Sequence, residues 1–268
     1  MKVKMEYMII SGKVIETRRC YMSERTKHKK VRGQRKANST SFNKIMLNER
    51  EGKRRLSRIM NTNFSDGFLH VVLKYQDDLP ETYEDLEKNG SKFLRKARKV
   101  FGEEFKYVMV NANWSPKKGR PARYHHHVIM PIVSVDKLTE LWPTGAFYVD
   151  RVTNPSDLTQ LASYLYDNVS GLDQGKKRYS TSKNMDKPIF TEPKPVDEIE
   201  SIEPIPETTI VDAEQTVDED GFVCGSYMRA ICHDRIKVRG GMVIMPKKTK
   251  KKVKTAAGYE AFEGGDEP

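Results

Sequence analysis

The sequence contains few cysteines and no long apolar segment. Its three cysteines, Cys20, Cys224 and Cys232, are an odd number without a paired framework, which is typical of a reducing compartment. No stretch approaches the roughly 18–20 apolar residues that span a bilayer, and the first residues lack an apolar signal core. These features argue against a disulfide-stapled secreted protein and against a membrane protein. We expect a cytoplasmic protein without a membrane partner.

Acidic residues are scarce relative to basic ones, and the imbalance is uneven along the chain. The 268 residues carry 48 Lys and Arg against 37 Asp and Glu, a formal net charge of +11. Residues 1–60 hold 18 basic and 5 acidic residues, whereas residues 191–220 hold 1 and 11. A strongly basic protein is attracted to polyanions, so nucleic acid is the expected partner.

The charge pattern also predicts how the chain is divided. Residues 1–60 are predicted to form a basic N-terminal arm, extended or flexible around 24–36, that ends in an amphipathic helix. Residues 61–190 hold most of the periodic apolar segments and form the predicted catalytic domain. Residues 191–268 turn acidic and then Lys-rich, which predicts a largely disordered tail.

Apolar periodicity predicts alternating strands and helices. Period-2 patterns predict strands, and apolar residues at helical spacing after capping residues predict helices. The expected strands are 68–75, 105–114, 123–131 and 145–152, and the expected helices are 48–64, 79–102, 134–142 and 154–169. This order predicts an α+β fold: a ferredoxin-like split βαβ antiparallel sheet with helices on one face.

Three consecutive histidines are the strongest local signal. Alternation along a strand points His125 and His127 to one face and His126 to the other, and two adjacent imidazoles can bind one divalent cation. A surface accident or a satisfied core cluster is the competing interpretation. The amide oxygen of Asn113, on the preceding strand, is a candidate third ligand, unless this residue merely closes the strand.

A tyrosine on the last predicted helix is the second signal. The phenol oxygen of Tyr164 can displace the leaving oxygen of a phosphodiester and keep the phosphate as a covalent ester. Tyr166 is the alternative candidate, and ordinary packing is the alternative role for either tyrosine.

Four segments together resemble the HUH endonucleases, specifically the rolling-circle replication initiators of phages, plasmids and integrative elements in Gram-positive bacteria. They are KRRLSRIMNTNFSDGFLHVVLKY at 53–75, FKYVMVNANW at 105–114, RYHHHVIMP at 123–131 and LASYLYDNVSGLDQGKKRYSTSKNMDKP at 161–188. The ordered set is more specific than any single member.

The resemblance implies a metal-dependent nickase. His125 and His127 would bind Mg²⁺ or Mn²⁺, and Tyr164 would attack single-stranded DNA at a replication origin. The products would be a 5′-phosphotyrosyl intermediate and a free 3′ hydroxyl, with a host helicase and polymerase as further partners. The chain departs from the family at Asn113, where an acidic residue is common, and at Asp167, where a lysine is common. Asp167 lies one helical turn from Tyr164 and would repel a scissile phosphate there, and a role as a further metal ligand is the alternative.

Several basic and polar residues are candidate contacts to the DNA backbone. The alternative is that they belong to ordinary solvated helix and loop surfaces. They are Arg54, Arg55, Arg58, Lys176, Lys177, Arg178, Lys183 and Asn184.

In the predicted tail, Cys224, Cys232 and His233 lack the close cysteine pairs of structural zinc sites, so free thiols are expected. The run KKTKKKVK at 247–254 is expected to contact DNA. A conjugative relaxase or tyrosine transposase uses the same chemistry, and a non-catalytic nucleic-acid-binding module is the alternative of a different class.

Overall fold

The computed structural model describes residues 2–23, 42–76, 78–143, 145–172, 176–232, 237–239 and 242–244. These residues contain four helices, α1 (Phe42–Asn63), α2 (Tyr83–Phe101), α3 (Val135–Leu141) and α4 (Thr159–Asp167). Their strands are β1 (Lys2–Ser11), β2 (Val14–Ser23), β3 (Gly67–Lys74), β4 (Val108–Ser115), β5 (Arg120–Met130), β6 (Phe147–Thr153), β7 (Ser180–Thr181), β8 (Ile189–Phe190), β9 (Lys194–Pro195), β10 (Thr208–Val217), β11 (Val223–Cys232), β12 (Lys237–Arg239) and β13 (Met242–Ile244). The α+β class is confirmed.

The central sheet has the strand order β6-β3-β5-β4-β7, and all its pairs are antiparallel. Its four long strands coincide with the four predicted ones to within a few residues. They are rich in β-branched and aromatic residues, which pack well on a pleated surface. In the register, His127 lies opposite Val72 on β3 and Val110 on β4.

Helices cover both faces of the central sheet. Helices α2 and α3 pack on the face that carries Val128 and Met130, whereas α1 and α4 pack on the face that carries Ile129. The prediction of helices on one face is therefore wrong. Like α2 and α3, helices α1 and α4 have an apolar side that must be buried. Because α2 and α3 already occupy the first face of the sheet, α1 and α4 pack on the second face.

Residues 2–23, the first part of the predicted basic arm, form a β-hairpin. Strands β1 and β2 pair over their whole length, and Gly12 at the turn has φ 61°, a conformation that favours glycine. Within β2, the Glu16 side chain is buried against Arg58 of α1. The basic run 24–36, for which an extended or flexible structure is predicted, lies outside the described residues.

Residues 208–232 also form regular structure, so the prediction of a largely disordered tail is wrong there. Strand β11 pairs with β2, and the resulting terminal sheet has the order β10-β11-β2-β1-β8, with β9 also paired to β1. An acidic strand is stable here because Glu214 of β10 pairs with Arg50 and Arg54 of α1. His233 and the run 247–254 lie outside the described residues.

The two sheets are joined by α1, which contacts β1 on one side and α4 on the other. Helix α1 therefore connects the predicted catalytic domain of residues 61–190 with the strands of residues 2–23 and 208–232. Among the residues that the structure describes, no helix is long and apolar enough to cross a membrane.

Candidate active site

The candidate site lies on the sheet face against which α1 and α4 pack, next to the histidines of β5. His125 and His127 point to this face, as strand alternation predicts, and their Nε2 atoms are 3.1 Å apart. His125 is half-buried and His127 is 3% exposed. The core residues that follow them on β5 hold both imidazoles on a rigid strand.

A third histidine, missed by the sequence analysis, extends this row. His70 of β3 places its Nε2 atom 3.0 Å from Nδ1 of His127, and the two rings stack with centroids 5.2 Å apart. The other ring nitrogen of His70 is 3.9 Å from a carboxylate oxygen of Asp150. His70, His127 and His125 thus form a continuous chain of imidazoles across two strands.

Burial favours the neutral form of all three rings. Desolvation lowers the pKa of His70 and of His125, and it lowers the pKa of His127 well below its ordinary value. Neutral imidazoles are the form that binds metal ions, since the lone pair must be free. The row therefore retains ligand capacity at pH values where ordinary histidines are protonated.

Hydrogen bonding fixes the proton of His125. Its Nδ1 atom lies 2.8 Å from the carbonyl oxygen of Arg123, which can only accept, so the single proton of the neutral ring is on Nδ1. The Nε2 atom of His125 is then a bare lone pair aimed at His127. The proton of His127 goes either to this lone pair or to His70 on the opposite side.

The His125 and His127 pair fits a divalent cation. When His127 donates to His70, two lone pairs meet at 3.1 Å, an arrangement that a cation between them stabilises. Two nitrogen ligands at about 2.1 Å from one ion and near a right angle are about 3.0 Å apart. Among the described residues, no group of three or more His, Cys, Asp and Glu side chains could hold a metal, so this pair offers two protein ligands.

Tyr164 of α4 lies directly against the histidine row. Its ring meets that of His127 edge to face, with centroids 5.7 Å apart, and its side chain is 40% exposed. Tyr166, the alternative candidate, instead points toward α1, where its hydroxyl lies against Gly52 and its ring under Arg178. The structure brings Tyr164, and not Tyr166, to the histidines.

Asn168 holds the end of α4 over His127. This buried residue donates from Nδ2 to the Tyr164 carbonyl at 2.7 Å. Burial lowers the pKa of His127, and the Asn168 side chain opposes this shift. Its carbonyl accepts from the backbone amides of Asn113 and Trp114. The sequence gives only the weak signal of an Asn at a helix end.

Asn113 does not lie among the candidate ligands. Its side-chain amide donates to and accepts from the backbone of Ser170, at 2.8 and 2.9 Å, at the β-bulge that interrupts β4. The positions of β4 opposite His125 and His127 are instead Ala112 and Val110. The prediction of Asn113 as a metal ligand is wrong, because the bulge turns its amide to the loop after α4.

Asp167 is likewise absent from the histidine row. Its carboxylate forms an ion pair of 2.7 Å with Lys53 of α1, which supplies the compensating charge. The prediction of Asp167 as a metal ligand is therefore wrong. The ion pair also removes the repulsion expected between Asp167 and a phosphate near Tyr164.

His126 belongs to a polar network on the opposite face of β5. Its Nδ1 atom donates to Asn111 at 2.8 Å and its Nε2 atom accepts from the Tyr75 hydroxyl at 2.6 Å. Burial lowers the pKa of His126 to about 3 and raises that of Tyr75 to about 12, so both groups are neutral. All ring nitrogens are satisfied, and His126 anchors the strand behind the site.

Two of the arginines predicted to bind DNA are structural. Arg58 is 5% exposed and forms two hydrogen bonds of 2.7 Å with Glu16, and Arg54 pairs with Glu214 while stacking 3.9 Å over Tyr227. Neither guanidinium is presented to a phosphate. These two predictions are wrong, because the terminal sheet packs on the side of α1 that the sequence predicts to be available to DNA.

The other predicted contacts are divided between structural and exposed positions. Arg178 pairs with Glu49 and donates to the Val169 carbonyl, and Asn184 donates to the Glu103 carbonyl. Exposed side chains remain at Arg55, Lys176, Lys177 and Lys183. Arg55 and Lys183 line one cavity of about 600 Å³ between α1 and the segment after β7.

Comparison with known proteins identifies no relative. No family model, no curated protein and no solved structure matches this chain.

Proposed function

We propose that this protein is an HUH-type endonuclease that nicks single-stranded DNA through Tyr164 and initiates rolling-circle replication of a mobile element. The observation that carries the proposal is the contact between the rings of Tyr164 and His127. His127 and His125 are the two imidazoles whose ring nitrogens can bind a cation. A nucleophile beside two neutral ligands is what metal-assisted phosphoryl transfer requires.

The central sheet supports the same proposal. Four of its strands follow the order β6-β3-β5-β4, with crossover helices α2 and α3 on one face, as in a ferredoxin-like split βαβ unit. The histidine strand β5 is internal, and α4 brings the tyrosine to it from the opposite face. This placement of the tyrosine helix against the histidine strand supports the proposal, although helices on both faces of the sheet differ from the one-faced fold that the resemblance implies.

In the proposed reaction, the Tyr164 oxygen attacks the scissile phosphorus, forms a phosphotyrosyl ester with the 5′ phosphate and loses its proton to solvent. The bond from phosphorus to the 3′ oxygen breaks, and that oxygen takes up a proton to become the primer hydroxyl. His125 and His127 would hold Mg²⁺ or Mn²⁺, which supplies Lewis-acid stabilisation of the phosphate charge. Asn168 and His70 fix the tyrosine helix and the His127 ring.

The test uses labelled single-stranded oligonucleotides that tile the DNA around the gene, incubated with Mn²⁺ or Mg²⁺. A denaturant-resistant adduct should retain a 3′ label, and the released 5′-labelled strand should be extendable by a polymerase. Tyr164→Phe and His127→Ala should both lose the adduct, whereas Tyr166→Phe should keep it. Tight binding without an adduct under either cation would instead indicate a non-catalytic DNA-binding module.

A further inference from the structure

An open strip of the central sheet borders the candidate site on the side of β6. Strand β6 is the edge strand, and its residues Tyr148 and Asp150 point to the same face as the histidine row. Tyr148 lies opposite Val72, which lies opposite His127, so the three form one row across the sheet. Two inter-strand spacings put Tyr148 about 10 Å from His127.

Tyr148 is too exposed to act as a core residue. Its side chain is 60% exposed, and the residues beside it on β6 that face the core, Phe147 and Val149, are half-buried. An exposed aromatic residue of this size on an edge strand contributes little to stability and risks unwanted association. Its position therefore suggests a role in binding.

A lysine accompanies this tyrosine. The Nζ atom of Lys74 lies 4.2 Å from the centre of the Tyr148 ring, and Lys74 is opposite His125 in the register. Lys74 is exposed, as are Arg123 of β5 and the basic residues of the β4–β5 turn, Lys117 and Lys118. An aromatic face with flanking cations is the combination that binds single-stranded nucleic acid, by stacking on a base and neutralising its phosphate.

We propose that Tyr148 stacks on a base of single-stranded DNA next to the scissile phosphate, and that Lys74 contacts the backbone phosphate beside it. The inference rests on the proposed function for the identity of the ligand as DNA. It adds a binding subsite on β6 to the site on β5 and α4. Asp150, on the same strip, limits how far phosphates extend toward His70, since its carboxylate repels them.

The experiment measures binding without cleavage, in the Tyr164→Phe protein and in EDTA. Fluorescence anisotropy compares an oligonucleotide of deoxythymidines with one of equal length that carries abasic sites throughout. Tyr148→Ala should weaken binding of the thymidine strand about tenfold and leave binding of the abasic strand unchanged. Tyr148→Phe should bind as the parent, because the ring is retained.

Two controls separate stacking from structural and electrostatic effects. Tyr21→Ala removes a 45%-exposed tyrosine from β2 in the terminal sheet and should leave both affinities unchanged. Lys74→Met should lower the affinity for both oligonucleotides alike. It should also reduce the magnitude of the slope of log affinity against log salt concentration by about 0.7, the value for one phosphate contact on a single strand.

The proposal is overturned if Tyr148→Ala lowers the affinity for the thymidine strand and the abasic strand equally, or changes neither affinity. It is also overturned if the parent protein binds the two strands with the same affinity, or binds neither. These outcomes are independent of nicking: an adduct with wild-type protein but no base-dependent effect of Tyr148 refutes this inference alone. A base-dependent effect without any adduct refutes the proposed nickase and keeps the DNA subsite.

Discussion

The ring of Tyr164 stands edge-on against the imidazole of His127, at a centroid distance of 5.7 Å. The tyrosine comes from α4 and the histidine from β5, and the two residues lie more than thirty positions apart in the sequence. This contact distinguishes the two candidate tyrosines, because Tyr166 points to α1 from the other side of the same helix.

The first prediction concerns these two tyrosines. Tyr164→Phe should abolish the protein–DNA adduct, because the attacking oxygen is lost, while the unfolding free energy changes by less than about 0.5 kcal/mol for so exposed a side chain. Tyr166→Phe should keep the adduct. Urea unfolding and a denaturing gel measure the two effects, and an adduct formed by Tyr164→Phe but not by Tyr166→Phe would reverse the assignment.

His70 is predicted to act through His127. His70→Ala removes the partner of the His127 Nδ1 atom and should lower Mn²⁺ affinity about 10- to 100-fold, the usual effect of losing a hydrogen-bond partner of a ligand. Calorimetric titration with Mn²⁺ measures this change. Asp150→Asn is the matched control: its carboxylate is 78% exposed and should alter affinity far less. Equal Mn²⁺ affinity in wild type and His70→Ala would exclude a positioning role.

The two neighbouring arginines Arg58 and Arg55 should behave in opposite ways. Arg58→Met removes both 2.7 Å hydrogen bonds of the buried Glu16 and leaves it only the 3.7 Å ion pair with Arg18, so it should cost about 3 kcal/mol of unfolding free energy. Combining it with Glu16→Leu should recover part of that loss. Arg55→Ala changes an exposed side chain, so it should leave stability within about 0.5 kcal/mol while weakening DNA binding.

Urea unfolding and anisotropy on the same preparations compare the two arginine variants. If Arg58→Met is as stable as the wild type but binds DNA more weakly, Arg58 contacts DNA and is not a structural residue.

Stability should fall in acid because of His126. Its folded-state pKa is lowered from 6.5 to about 3, so between these values the unfolded chain binds a proton that the folded protein excludes. The stabilising effect is complete above pH 6.5 and is lost progressively as the pH falls toward 3, by about 1.4 kcal/mol per pH unit. His126→Gln should flatten the dependence by that slope in urea unfolding series from pH 7 to 4. An unchanged slope would show that His126 is already protonated in the folded protein.

The sequence predicts the local structure of the central unit well. Its four long strands and the four helices appear near their predicted positions, because apolar period and capping residues act within a few turns of the chain, whereas the two-residue strand β7 is not predicted. The orientation of His125 and His127 follows from strand alternation alone, which is again a local property.

Features that depend on register are not predictable in this way. His70 joins the site only because β3 pairs with β5 so that His70 lies opposite Ile129, two residue pairs from His127 and on the same face, and no local pattern fixes that pairing. A single bulge turns Asn113 away from the histidines. The charged segments at the two chain ends read as solvated because their partners, such as Glu16 for Arg58, are remote in sequence.

The pairing of β2 with β11 has a consequence for how the protein is made. Cys20 faces Gly225 in this sheet, so roughly 10–40 s of synthesis separate the two strands at 5–20 residues per second. During this interval the β1–β2 hairpin, which is synthesised before β11, exposes an unpaired strand edge, and α1 lacks the carboxylate of Glu214. The nascent chain is then most open to aggregation, and chaperones that shield strand edges should matter most before residue 223 emerges.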